Sequence, residues 1–229
     1  MRANLKTFTI LLLVTVLYIV FRYQGGALFF LKQFHPQLAN RSVATLAVYY
    51  QWCMAFLILG VVPAMVARFG FKEKLTQYGI AMKRPLVTIF ITLIGVVIVT
   101  PLTYIGANDT VLSTAYPLVK SSGSSPSRFF ESSVFYILYY IGYEFCFRGF
   151  LFMGIKEDVG EWQAVGISLL ATVLLHVNRP QSETVMAIVA GIVFPIVVSR
   201  LGSLFPVIIV HAYTGIALDY WIIVRAGGF

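Results

Sequence analysis

The sequence predicts an all-α polytopic membrane bundle of about seven spans, and three observations carry that prediction. Of 229 residues, 59% are hydrophobic and only 11% are charged. Mean hydropathy is +0.85, well outside the range of a soluble domain. The apolar runs are continuous, whereas the strands of a membrane barrel alternate polar and apolar residues, so helices are the elements that satisfy their own backbone in lipid. The chain reads as one integrated membrane domain, without internal repeat, low-complexity tail or loop long enough to hold a soluble domain.

A bilayer crossing takes about 20 residues, which divides the chain into spans at residues 5–23, 42–66, 86–104, 130–153, 162–176, 184–198 and 204–224. The first begins after Arg2 and Lys6, as a signal peptide does, but no small-residue cleavage pattern follows before Arg22, so a retained signal anchor is expected. After the second, residues 68–84 hold Arg68, Lys72, Lys74, Lys83 and Arg84. This densest basic loop is expected on the cytoplasmic side, with the N-terminus inside and the C-terminus outside. The third span leads into the longest loop, residues 105–128, whose SSGSSPS stretch at 121–127 reads as a flexible linker. The fifth and sixth spans are short and are expected to tilt little or to extend through neighbouring polar residues.

Several function classes are excluded. The net charge of +8 is scattered over short loops, so contact with anionic headgroups explains it and nucleic acid does not. No P-loop, dinucleotide fingerprint, GxSxG elbow or HExxH pair occurs. Cys53 and Cys146 lie within spans without metal-ligand spacing and read as packing residues. Gly191 and Gly202 read as sites of close helix approach.

The fourth span carries the chemistry. Its run FYILYYIGYEFCFRGFLFMG, residues 135–154, contains Glu144 and Arg148. Charges at bilayer depth cost several kcal/mol, roughly, unless paired or facing a cavity. Four residues apart on a helix, with the carboxylate first, the two share a face in the better order for an ion pair, and a buried hydrogen-bonded pair is expected. A structural pair is the ordinary reading of such residues. The histidines shift the balance: of His35, His176 and His211, two lie in apolar runs. Three hydrophobic segments each bearing a polar residue predict a shared interior site formed by Glu144, His176 and His211, because membrane helices turn such residues away from lipid.

YEFCFRGFL at 143–151, LLHVNRP at 174–180 and GSLFPVIIVHA at 202–212 together resemble the three-motif core of the CAAX prenyl protease and bacteriocin-processing (CPBP) family, the Abi-type intramembrane proteases. The resemblance implies a four-helix catalytic core at residues 130–229, preceded by a membrane-spanning extension at 1–129. It also implies peptide hydrolysis by activated water without a covalent intermediate. Such hydrolysis needs a proton acceptor for water and a donor for the oxyanion; here Glu144, if free enough from Arg148, is the expected base, His176 positions or activates the water, His211 donates to the oxyanion and Arg148 keeps the carboxylate ionised and oriented. Glu144, His176 and His211 also form an N/N/O trio of the kind that holds catalytic zinc, so metal-assisted and metal-free hydrolysis both stand open. The implied partners are the lipid bilayer and a peptide or membrane-protein substrate, in a multi-pass protein of a bacterial inner membrane.

Three positions depart from the family pattern. Tyr143 stands where the first of two adjacent glutamates is expected, the carboxylate that activates water in family members. Thr172 replaces a phenylalanine four residues before His176, and Gly215 replaces an asparagine or aspartate four residues after His211. Asp219 is too far along the helix, about 12 Å from His211, to share its water; Asn178 reads as a cap or turn residue. Tyr143 and Gly215 support a second reading, a catalytically impaired pseudoprotease acting as a membrane scaffold or regulator. A transporter with a protonatable Glu/His pair fits the charges but finds no repeat in the sequence. The expectation that separates enzyme from scaffold is a water-accessible cavity surrounded by Glu144, Arg148, His176 and His211, with Tyr143 outside it.

Overall fold

The computed structural model describes residues 2–34 and 41–229; His35 lies outside the described residues. Among the described residues all regular structure is helical. α1 is Arg2–Gln24, α2 is Ala27–Phe34, and α3 is Arg41–Gly70, with π-helical turns at Phe56–Val61 and Val66–Gly70. α4, Pro85–Gly106, opens with a proline in its first turn, where the missing N–H is no loss. α5, Thr110–Ala115, is capped by Asp109, whose Oδ1 accepts from the backbone N–H groups of Val111 and Leu112 at 2.7 and 3.1 Å. α6 is one continuous rod over residues 126–159: α-helix at Pro126–Glu144, π-helix at Phe145–Met153 and a closing α-helical turn at Gly154–Val159. α7 is Glu161–Leu174, α8 Gln181–Leu201 and α9 Phe205–Arg225.

Among the described residues five helices are long and apolar enough to cross a membrane: Leu5–Gln24, Arg41–Gly70, Pro85–Gly106, Gln181–Leu201 and Phe205–Arg225. They correspond to five of the seven expected spans, and the other two differ for separate physical reasons. The 14 residues of α7 extend about 21 Å, short of a hydrocarbon core of about 30 Å. α6 is long but not apolar, because much of it faces protein instead of lipid. Residues 142–152 are buried without a break, so this stretch can carry ions that a lipid-facing helix cannot.

α6 is the axis of the bundle, packed against α3, α7 and α9. Its closest approach is to α3, where a Cβ on Gly142 would stand 2.5 Å from the Ala55 carbonyl oxygen and 2.7 Å from Phe56 Cα. Only glycine lets the two backbones meet there. The largest apolar cluster joins Phe147, Phe150 and Phe152 of α6 to Ile10 and Val14 of α1, Leu59 of α3 and Val165 of α7. α4 packs along α9, fastened by the Thr100 and Tyr213 hydroxyls at 2.9 Å and by Arg225, which donates to the Tyr104 carbonyl at 3.1 Å. Gly191 of α8 lies against α7, as read from sequence, with Leu169 Cδ1 2.5 Å from where its Cβ would be; Gly202 instead ends α8 in a left-handed turn. Cys53 and Cys146 are free thiols, the latter fully buried.

The loop read as a flexible linker is organised. Lys120–Ser124 forms a 3-10 turn with Ser122 buried, and Ser125 caps α6 by accepting from the Arg128 N–H. Backbone and hydroxyl hydrogen bonds to Val119, with Thr45 reaching Ser121 at 2.9 Å, hold the serines in place.

Candidate active site

The site is built around the π-helical part of α6. A π turn spaces its residues more widely than an α turn and recurs at functional positions. Here the carbonyl of Phe147 is taken up by the buried Ser168 hydroxyl of α7 at 3.1 Å, which ties the helix that leads into the turn with His176 to the segment carrying Glu144 and Arg148.

Glu144 has no exposed surface and Arg148 is 1% exposed. Arg148 Nε stands 3.4 Å from Glu144 Oε2, an ion-pair contact without hydrogen-bond alignment, so the expected hydrogen-bonded pair is corrected to a looser one. The reason is competition for the carboxylate: its other oxygen, Oε1, lies 2.5 Å from His211 Nδ1. The guanidinium rests between two aromatic rings, 5.5 Å from the Tyr143 centroid and 5.8 Å from that of Phe194. Glu144 thus lies between two partners, the Arg148 guanidinium and the His211 ring.

His211 and His176 face a common cavity of about 70 Å³. That is room for more than one water, each needing roughly 15 Å³ of such space. Tyr116, Tyr140, Tyr143 and Glu183 share its wall, while Glu144 and Arg148 lie behind it. The expected arrangement therefore holds in two of four residues, and Tyr143 is inside the cavity where it was expected outside. Gln51 and Trp52 of α3 and Leu118 of the 105–128 loop complete the lining, so the first 129 residues contribute to the site as well as preceding it.

Each histidine has a fixed orientation. His176 Nδ1 donates to the Thr172 carbonyl at 2.7 Å, since a carbonyl only accepts, which leaves Nε2 as the nitrogen turned to its surroundings. The position where a phenylalanine was expected thereby serves through its backbone. His211 Nδ1–H is likewise committed to the Glu144 carboxylate, leaving its Nε2 available. Tyr140 packs on the His211 ring with centroids 4.4 Å apart.

Gly215 has a clear structural counterpart. A Cβ there would meet the Tyr140 hydroxyl at 2.5 Å and the Tyr136 ring at 2.9 Å. Two phenols of α6 occupy the space that a side chain at this position would fill. Asp219 is buried on α9 and does not line the cavity; Asn178, at φ +70° in the turn after α7, faces an outer groove with Arg179 and Thr110.

The set Glu144, His176 and His211 is not assembled as metal ligands. Among the described residues no group of three His, Cys, Asp or Glu side chains is arranged to hold a metal ion. Glu144 Oε1 is already engaged by His211 Nδ1, and His176 Nε2 turns instead toward Glu183 Oε1, 3.8 Å away.

Glu183 is the site residue that sequence reading missed. It lies in the first turn of α8, where a carboxylate is ordinary because it complements the helix dipole, and nothing in its local pattern distinguishes it.

The model of the Rce1-like family, type II CAAX prenyl endopeptidase Rce1-like, matches residues 126–217. Residues 126–217 are similar to that domain. The matched stretch begins at the start of α6 and contains Glu144, Arg148, His176, Glu183 and His211. No curated protein and no solved structure matches the chain. The Rce1-like match agrees with the resemblance carried by the three motifs, and the five apolar helices support a multi-pass integral membrane protein.

Proposed function

We propose that the chain is an intramembrane endopeptidase of CAAX type, which hydrolyses a peptide bond with water held in the cavity between α6, α7, α8 and α9. The observation that carries this reading is the pair of oriented imidazoles, His176 and His211, on one polar cavity inside a membrane bundle, with Glu144 bonded behind His211. Ordinary packing histidines have no need of a cavity.

Glu144 has no surface from which to reach water, so it acts through His211: its carboxylate fixes the Nδ1–H tautomer and stabilises positive charge on the ring. His211 Nε2 then exchanges a proton with water or holds the developing oxyanion. His176 Nε2 positions the water, and Arg148, 3.4 Å from Oε2, helps to hold the Glu144 carboxylate in place. A membrane-associated protein or leader peptide is the substrate class that the family resemblance implies. The short loops fit a bacterial inner membrane.

A pseudoprotease that serves as a membrane scaffold is favoured by one feature, the absence of a carboxylate at Tyr143. Purified protein in lipid nanodiscs, assayed by mass spectrometry on peptides from its native membrane, separates the two. Glu144→Gln, His176→Ala and His211→Ala should each abolish cleavage while the fold survives, and combining them should cost little more than the worst single change. Full cellular function in all three variants would replace the protease reading with the scaffold.

A further inference from the structure

We infer that Glu183 is the water-activating carboxylate of this site, working with His176 from the start of α8. The inference rests on the endopeptidase reading and adds a residue to it.

Tyr143 puts a phenol on the cavity wall where the family motif has its first glutamate, and Glu144 is sealed behind His211. The cavity wall would then carry no carboxylate, except that Glu183 lines it. Its Oε1 lies 3.8 Å from His176 Nε2. That is beyond a direct hydrogen bond and within the separation that one water bridges. Its Oε2 accepts from the Tyr116 hydroxyl at 2.7 Å. Burial and the adjacent Glu183 carboxylate push the Tyr116 phenol well above its ordinary range, so it remains a donor and holds the carboxylate in one orientation.

The alternative origin of Glu183 is the helix-dipole preference for acids in a first turn. A residue chosen for that reason alone needs no second anchor and no histidine. Glu183 has both, with its side chain 24% exposed. The charged groups around His176 are Glu183 and, from the turn after α7, Arg179; His211 faces the cavity from α9.

The step balances without any further reactant. Water between Glu183 and His176 gives a proton to Oε1 of Glu183 as its oxygen adds to the scissile carbonyl carbon, and the carbonyl π pair moves onto the oxygen. Collapse of the tetrahedral species breaks the C–N bond, and the proton held on Glu183 passes to the departing amine nitrogen. The products are one carboxylic acid and one amine, and Glu183 is again ionised.

The test uses the full chain in nanodiscs with peptide cleavage and, independently of activity, NMR titration of His176 after selective histidine labelling. Glu183→Gln should lower kcat by about 10²–10⁴-fold with KM little changed. Glu183→Asp should recover part of the loss, and Tyr143→Glu introduced into Glu183→Gln should restore cleavage by returning a carboxylate to the same cavity. The His176 midpoint should fall in Glu183→Gln, because a neighbouring anion favours the charged ring. Cleavage by Glu183→Gln within a few-fold of wild type, with His211→Ala inactive, overturns the role of Glu183 and leaves the protease reading standing. If wild type cleaves nothing, the protease reading fails by itself; an unchanged His176 midpoint in Glu183→Gln then overturns the pairing as well. A thermal melt matching wild type confirms that each variant is folded.

Discussion

Removing Arg148 should expose how the interior tolerates a carboxylate. Arg148→Ala leaves Glu144, with no exposed surface, facing only His211, since the guanidinium at 3.4 Å from Oε2 is gone. Breaking a buried ion pair by deleting one partner costs about 3–5 kcal/mol. The loss is partly offset if His211, 2.5 Å from Oε1, becomes an imidazolium, and partly increased by the space left between the Tyr143 and Phe194 rings. For a chain of this size each kcal/mol moves the melting temperature by roughly 2–4 °C, so a fall of about 6–20 °C is expected. Arg148→Lys should recover less than half, because an ammonium cannot reproduce the planar contact with both rings and the carboxylate. The assay is fluorescence-detected melting in nanodiscs across wild type, Lys and Ala. A melting temperature for Arg148→Ala within about 2 °C of wild type would refute the buried Glu144–Arg148 pair as a source of stability.

Gly215→Asn, which restores a residue type of the family motif, should destabilise by about 1–3 kcal/mol through overpacking, because its Cβ would stand 2.5 Å from the Tyr140 hydroxyl; Tyr140→Phe in the same chain should relieve part of this, read by the same melts. Gly142→Ala should be worse than Gly215→Asn, since the clash at 2.5 Å is with the Ala55 backbone, which cannot rotate away; equal stability of the two would contradict the close α3–α6 crossing. Ser168→Ala should cost about 1 kcal/mol by orphaning the Phe147 carbonyl, and an unchanged melt would mean that water replaces the hydroxyl there.

The departures from the family motifs differ in their structural consequences. Thr172 changes a side chain while keeping the carbonyl that orients His176. Gly215 removes a polar side chain, yet the phenols of Tyr136 and Tyr140 take its place, and both line the cavity. Tyr143 removes a carboxylate that no neighbour on α6 returns to the cavity, which is why Glu183 carries the mechanistic weight.

Composition and continuous apolar runs determined the helical membrane bundle, because lipid leaves the backbone no other partners and five of the runs are long enough to cross a bilayer. The same cost singled out Glu144, Arg148, His176 and His211, since a polar residue in such a run has to be turned inward. What one dimension could not contain is the direction each side chain takes within the interior. Glu144 and Tyr143 are neighbours in sequence, and an expectation drawn from spacing placed the carboxylate in the cavity and the phenol outside it. The π-helical turns, the bond from His211 to Glu144 and the crossing at Gly142 reverse that assignment. Glu183 was invisible for the complementary reason: an acid in a first turn is locally ordinary, and only the packing of α8 against α7, with Tyr116 folded in from the long loop, puts it beside His176. Burial cost selects residues one at a time along the chain, but a site depends on distances between helices, and those are decided by tertiary packing.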